Sequence, residues 1–476
     1  MAYIFKGQFG GLADSKYSGI EGSFYRCVGV DGHSTPGQLK VHQKLTKDSG
    51  STVDAFVKVS LAASNGYSFW FSATSGKIWA RASNGTWTLA YTTVAGAGTH
   101  GCSGAMEFNG YIYWATQSRL HRIAIANADD AWASVDLNWA TFTATDADFH
   151  PMAIQDLTLF IGDANLVAEV SSAGSFTANV LDLKTPYRIK TMIPYDIDLL
   201  IGTYIADTVN LTEIIRWDTV STSWNTSDPI EEVGINSFIR DDNYVYANAG
   251  LAGNMYLYDG SRLIPYKKVP GTYSSTAYGS VHPNASANFK GIPVFGFSNG
   301  SGNPALEGVY SFGSYSRDYP KVMDLSWVIS QDLTSGVEIG AITVLGFDLM
   351  VSWKEGSNFG VDKIDYTAKY ASAYVESRML YEEMRDVLKT LADLKAFYDS
   401  LPASCGVTFS YSINNAAYVA LTDVDDTKLA ACTTKTRVSE IGSLQIKMAF
   451  NVSVNNAPTI EGIQSWVDGE NDDAKQ

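Results

Sequence analysis

A unit made of an aromatic-rich extended run, a tight turn and a second extended run recurs along most of this chain, and few folds accept such a pattern. The first occurrence is the clearest. Tyr67, Phe69 and Phe71 fall on one side of an extended segment, with Trp70 on the other. Ser75-Gly76 turns the chain, Ile78 and Ala80 alternate with Trp79 and Arg81, Asn84-Gly85 turns it again, and Trp87, Leu89 and Tyr91 form a third run. An Asn-Gly pair between alternating runs is the strongest short-range hairpin signal. One such meander cannot bury both of its faces alone, so it needs neighbours.

The neighbours are in the sequence. Similar units run over 108–125, 155–170, 195–218, 240–258, 290–312 and 346–364, which makes seven with the first. Their central strands align at Trp70, Trp114, Phe160, Leu200, Tyr246, Phe295 and Val351, at intervals of 44, 46, 40, 46, 49 and 56 residues. Spacings in the forties with three or four strands per unit fit propeller blades, in which each twisted sheet covers the next and the last meets the first. The turn from Ser298 to Pro304 lengthens the sixth unit. A two-sheet sandwich does not need seven similar units, and solenoid repeats are shorter and stricter. Blade signatures of named families are missing: Trp217-Asp218 stands alone, there is no paired-glycine pattern, and Ser83 to Trp87 lacks the aspartate of a sialidase box. The expected fold is all-β: a seven-bladed β-propeller over 55–372, then a small β-sandwich over 373–467.

The ends differ from the middle. Residues 1–54 form a Gly-rich arm with a strand-like run from Phe24 to Val30 and a turn at Pro36-Gly37. Leu39 to Leu45 alternates with Lys40, His42 and Lys44 on one face, which suits an exposed sheet edge. The arm is expected to give the last blade its outer strand and so help close the ring. After Tyr370 the pattern changes to strands over 373–380, 406–413, 417–421, 444–454 and 460–467. Residues 382–400 read two ways: Met384, Leu388, Leu391 and Leu394 fit a helical stripe, and 394–402 fits a strand entering a turn. The acidic tail 468–476 is expected to fray.

The net charge of −16 argues against sequence-independent nucleic-acid binding and against an anionic membrane surface, both of which need Lys and Arg. No run reaches the ~18 apolar residues of a membrane span. The first eleven residues lack the apolar stretch of a signal peptide, so synthesis in a cytoplasm without standard export is expected. Cys27, Cys102, Cys405 and Cys432 are scattered and lack metal spacing; Cys405 and Cys432 could meet across one small domain, but buried free thiols are the expectation.

No chemistry-bearing constellation stands out. His33, His42, His100, His121, His150 and His282 show no metal-binding spacing. Acid pairs occur at Asp196/Asp198, Glu231/Glu232 and Asp241/Asp242; Asp196 and Asp198 flank Ile197 at a strand start, where acids commonly make turns. Asp423 to Asp426 lacks the glycine and distal glutamate of a calcium loop. Phosphate-binding glycine loops and a nucleophile elbow are missing. The expectation is therefore no catalytic residues, no cofactor and no metal. Tyrosines in long loops, Tyr273, Tyr278, Tyr315 and Tyr319, are the candidate contact residues, placed to stack on sugars or to touch a neighbouring subunit.

The arm from Arg26 to Leu45, the exit from the blades over Lys363 to Arg378, and the C-terminal stretch from Leu401-Pro402 through Val407-Thr408-Phe409 together resemble structural proteins of tailed bacteriophages. The similarity is one of layout across nearly the whole chain and has no diagnostic short motif. It implies a non-enzymatic propeller-plus-sandwich component of a phage virion, similar in build to tail nozzle or distal tail proteins. It also implies assembly in the host cytoplasm with copies of itself in a ring and with other tail proteins. The other function expected of such a chain is a carbohydrate-binding or carbohydrate-cleaving propeller that attaches to a host-surface glycan.

Overall fold

The computed structural model describes residues 2–13, 15–93, 101–241, 244–269, 279–299, 306–314, 321–330, 336–380, 389–398, 400–421, 424–425, 431–434 and 443–469. Seven four-stranded antiparallel units stand around one axis. Blades 1 to 5 are built from consecutive strands over 57–92, 104–141, 152–182, 188–230 and 235–268. Trp70, Trp114, Phe160, Leu200, Tyr246, Phe295 and Val351 all lie in the second strand of their blades, as their spacing requires. The innermost strands are Val57–Ala62, Gly104–Phe108, Met152–Gln155, Arg188–Tyr195, Ile235–Asp241, Gly279–Phe289 and Val337–Leu345. Each touches the next, and the last touches the first, so the ring is closed.

Close approach at the axis explains two glycines. A Cβ on Gly104 would lie 1.8 Å from the His150 carbonyl oxygen of blade 3's approach, and one on Gly340 would lie 1.9 Å from the Val57 carbonyl oxygen of blade 1. Between blades the core is apolar. Phe69, Phe71, Trp114 and Trp132 fill the space between blades 1 and 2, and Phe160, Leu199, Ile201 and Trp217 that between blades 3 and 4. The closing seam sets Trp70 and Trp79 of blade 1 against Met350 and Val361 of blade 7.

Blades 6 and 7 need distant chain. Blade 7 has strands Val337–Leu345, Asp348–Glu355 and Asn358–Lys369, and its outer strand is Gln43–Lys47 of the arm, with Leu45 opposite Ile364. Just beyond that strand, Asp48 accepts hydrogen bonds from Arg81 Nε (2.6 Å) and Trp87 Nε1 (2.8 Å) of blade 1. The arm thus fastens both sides of the seam. The alternation expected from Leu39 to Leu45 is broken at His42, whose amide donates to the Gly29 carbonyl and whose carbonyl accepts from Tyr370. Its ring turns onto Trp327, 4.7 Å away, and does not join Lys40 and Lys44 on an exposed edge.

Blade 6 is the junction. Its outer strand Val322–Trp327 pairs in parallel with Phe24–Val28, and the sheet continues through Tyr374–Ser377, Leu444–Asn451, Gly406–Ile413 and Val419–Ala420 to nine strands. A second sheet joins Ala2–Lys6, Ile460–Gly469, Lys389–Tyr398, Ala431–Thr434 and Val424–Asp425. Side chains of both sheets, among them Phe5, Phe24, Leu394, Phe409, Met448 and Ile463, share one core with Val294, Tyr310 and Leu325 of blade 6. The arm is therefore divided. Only Gln43–Lys47 completes the ring, whereas the strands at 2–6 and 24–28 belong to the C-terminal β-domain. The reason is burial: Phe24 and Cys27 are fully covered, a pattern that a strand exposed on one face does not provide.

The ambiguous segment is a strand over Lys389–Tyr398, in which buried Leu394, Ala396 and Tyr398 follow a period of two; residues 381–388 lie outside the described ones. Cys405 is a free thiol, with Sγ 3.3 Å from the Asn456 carbonyl oxygen. The side chain of Cys432 is outside the described residues. Ile125–Asn127 is a single 3-10 turn, and among the described residues no helix is long and apolar enough to cross a membrane.

Candidate functional site

The first strand of every blade runs the same way along the axis, so the starts of these strands meet at one end and their hairpin turns at the other. The two ends have different chemistry.

At the strand-start end, residues of five blades line a funnel of about 350 Å³. Lys58, Lys190, His282 and Glu338 are each within the first four residues of an inner strand, which aims them at the axis. Glu338 is paired with Lys354 at 2.9 Å. Lys190 Nζ donates to Asn236 Oδ1 at 2.7 Å and lies over the rings of Phe149 and Tyr204, at 5.4 and 5.7 Å. Lys58 Nζ faces the Phe56 ring at 5.6 Å. Neither lysine has a carboxylate within ion-pair distance among the described residues. Burial lowers the Lys190 pKa to about 8, with Asp207 pulling it up and Lys58 pushing it down. Burial, then the charges of Lys58 and Lys190, hold His282 well below the usual imidazole value, against a hydrogen bond with the Gly340 backbone.

At the other end are the turns between first and second strands. Asn109-Gly110, Asp156-Leu157, Asp196-Ile197, Lys290-Gly291 and Gly346-Phe347 are two-residue loops, each bracketed by a paired couple of strand residues. Three of them display large apolar side chains: Leu157 is 76% exposed, Ile197 71% and Phe347 82%. Leu157 also has φ +62°, a left-handed conformation that glycine takes freely and that costs an L-residue with a Cβ roughly 1–2 kcal/mol.

The candidate tyrosines Tyr273, Tyr278, Tyr315 and Tyr319 lie outside the described residues. The histidines are dispersed. His33 sits 3.4 Å from Asp324, His121 accepts from the Asn138 amide through Nδ1, and His150 is sealed between the Gly162 and Gln117 carbonyls. His100 is outside the described residues. The acid pairs do structural work: Asp198 holds Arg216, Glu232 accepts from Asn254 and Tyr256, and Asp241 pairs with Lys321. Asp218 caps its own turn by accepting from the Val220 and Ser221 amides. Among the described residues no three His, Cys, Asp or Glu side chains are grouped to hold a metal ion; Asp423 and Asp426 fall outside them. Sequence reading missed the funnel lysines because it aligned the second strands. Aligning the first strands would have placed Lys58 and Lys190 near the same level.

No family model and no curated protein matches the chain. Solved structures are similar to it at low identity. The extracellular domain of a putative hybrid two-component system from B. thetaiotaomicron aligns with TM-score 0.45 and 14% identity over 82% of this chain and 47% of its own, so the chain spans about half the length of that protein. Streptogramin B lyase aligns with TM-score 0.47 and 10% identity over 67% of this chain and 97% of its own. The WD40 propeller domain of Doa1 gives 0.42 and 10% over 65% and 93%. The sheet order itself establishes the fold: this chain is a β-propeller.

Proposed function

We propose that this protein is a non-enzymatic structural component of a tailed-phage virion, in the nozzle or distal region of the tail, working through contacts with copies of itself and with other tail proteins. The observation that carries the reading is the face formed by Leu157, Ile197 and Phe347. Two-residue hairpin loops fold best with Asn, Asp and Gly. Large apolar groups there stay mostly exposed on the free chain, and Leu157 adds backbone strain. An exposed apolar side chain on a strained turn is suited to contact with another subunit. The nine-stranded sheet supports the same reading, because it ties propeller and β-domain together through main-chain pairing and a common core and gives the contacts a rigid mount. The choice of a phage tail as the assembly rests on the resemblance of layout described from the sequence.

Gold-labelled antibody against the full chain, applied to purified particles of the encoding phage, tests the proposal. The expected result is label at the tail end. Particles that carry none of this protein would overturn it.

A further inference from the structure

We infer that the funnel is a binding site for a small molecule bearing an oxyanion, a phosphate or a carboxylate. The protein as a whole is strongly acidic, at −16, yet two lysines converge on this one cavity without a carboxylate partner among the described residues. The nearby acid Glu338 is already engaged by Lys354. Rings and an amide oxygen hold the Lys190 ammonium in place, but they carry no charge to neutralise it. Of its three N–H donors, the bond to Asn236 uses one.

The rest of the lining completes the fit. Ser280 and Ser298 line the same cavity, and Ser298 Oγ accepts from the Ile339 amide at 2.8 Å, which leaves its O–H to donate. Phe149, half-buried beneath Lys190, adds an apolar ring to the lining. An oxyanion between Lys58 and Lys190 would relieve their mutual repulsion and form charge-assisted hydrogen bonds to both. The cavity is open to the axis and its size suits a small molecule rather than a chain segment.

Binding should depend on pH. The charges acting on Lys190 are those of Asp207 and Lys58; around it also stand the neutral Tyr204 hydroxyl, which donates to Asp148, the neutral His282 and the Glu338–Lys354 pair. A bound anion favours the ammonium, so the Lys190 pKa rises on binding; affinity is full below about 8, declines as the pH climbs from there to the raised value, and levels off above it.

The experiment is titration calorimetry of the full chain with inorganic phosphate and, separately, with glucuronate, at neutral pH and again well above it. The NMR signals of isotopically methylated lysines are followed in parallel. The expected result is saturable binding of one probe or both, an upward shift of the Lys190 pKa, and about tenfold weaker binding in K58Q and in K190Q. K77Q, which removes a surface partner of Asp54, should bind as the parent does. Binding of phosphate alone would assign a phosphorylated ligand, and binding of glucuronate alone a sugar acid. If neither probe binds, or if K58Q and K190Q, with unchanged melting, bind as tightly as the parent, the inference fails.

Discussion

Blades 2 to 5 and blades 6 and 7 repeat the same four-stranded sheet but are assembled from different kinds of contact. Each of the former is one continuous stretch of chain in which every strand pairs with its sequence neighbour. Blade 7 waits for residues 43–47, more than three hundred positions away, and blade 6 is bordered by residues 24–28. Local hairpins form at little entropic cost, whereas long loops must close before distant strands reward them. The junction of blades 6 and 7 with the β-domain is therefore where the cooperativity of the molecule is set.

Removing residues 1–54 is the strongest way to break this comparison. It takes away the outer strand of blade 7, the strand that borders blade 6 and an edge strand of the β-domain. The expected loss is ~10 kcal/mol or more, the whole stability of an ordinary domain. Calorimetry should show no cooperative transition attributable to the closed ring; a melt like that of the parent would show that the blades close without the arm.

A smaller contrast lies in two buried tryptophans. Trp114 in blade 2 has no hydrogen-bond partner for Nε1 among the described residues, so W114A should cost ~3–5 kcal/mol for lost packing. Trp353 in blade 7 donates Nε1 to Asp362 Oδ1 at 2.6 Å, within a buried site that also binds Ser330. W353A should exceed W114A by ~1–3 kcal/mol because it strips a donor from that buried carboxyl group. Denaturant unfolding at neutral pH measures the difference, and equal costs would remove the special standing of the closure region.

Acid separates the regions again. Burial lowers His121 and His150, in and beside blades 2 and 3, to about 4. Their contribution is complete above the ordinary imidazole value of 6.5 and is lost as the pH falls from there toward 4, together ~2 kcal/mol or more. His33, at the junction, goes the other way. Burial pushes it down, but Asp324 carries it above 6.5, so its contribution is present below 6.5 and is lost as the pH rises through its folded pKa. A stability–pH curve of H150N should be flatter on the acid side than that of the parent, and one of H33Q flatter above 6.5. Parallel curves would contradict these assignments.

The repeat was legible because aromatic alternation and turn residues recur within each blade, where contacts are local. From Trp70 to Val351 the seven marker residues landed in equivalent strands. The division of the arm was not legible. Phe24–Val28 and Gln43–Lys47 are both short and β-rich, and nothing in either names a partner hundreds of residues away. The segment 389–398 was ambiguous because Leu391 and Leu394 satisfy a helical stripe until a bulge near 392 resets the alternation. Of the candidate site, the apolar turn tips Leu157, Ile197 and Phe347 were not legible, because an apolar residue between strand-like runs reads as part of a strand until pairing places it in the turn. The funnel lysines were hidden, since a lone lysine near a strand start is ordinary until the ring brings several together.

The smallest stability effects expected belong to the turn face, and these test function most directly. L157G should gain ~1 kcal/mol by relieving the left-handed backbone, while I197S and F347S should each stay within ~0.5 kcal/mol. Native mass spectrometry of the full chain and of the L157G/I197S/F347S triple variant then asks whether that face holds subunits together. The account predicts a closed oligomer for the parent and a folded monomer, at least as stable, for the variant. A variant that oligomerises as the parent does, or a parent that stays monomeric, would contradict it.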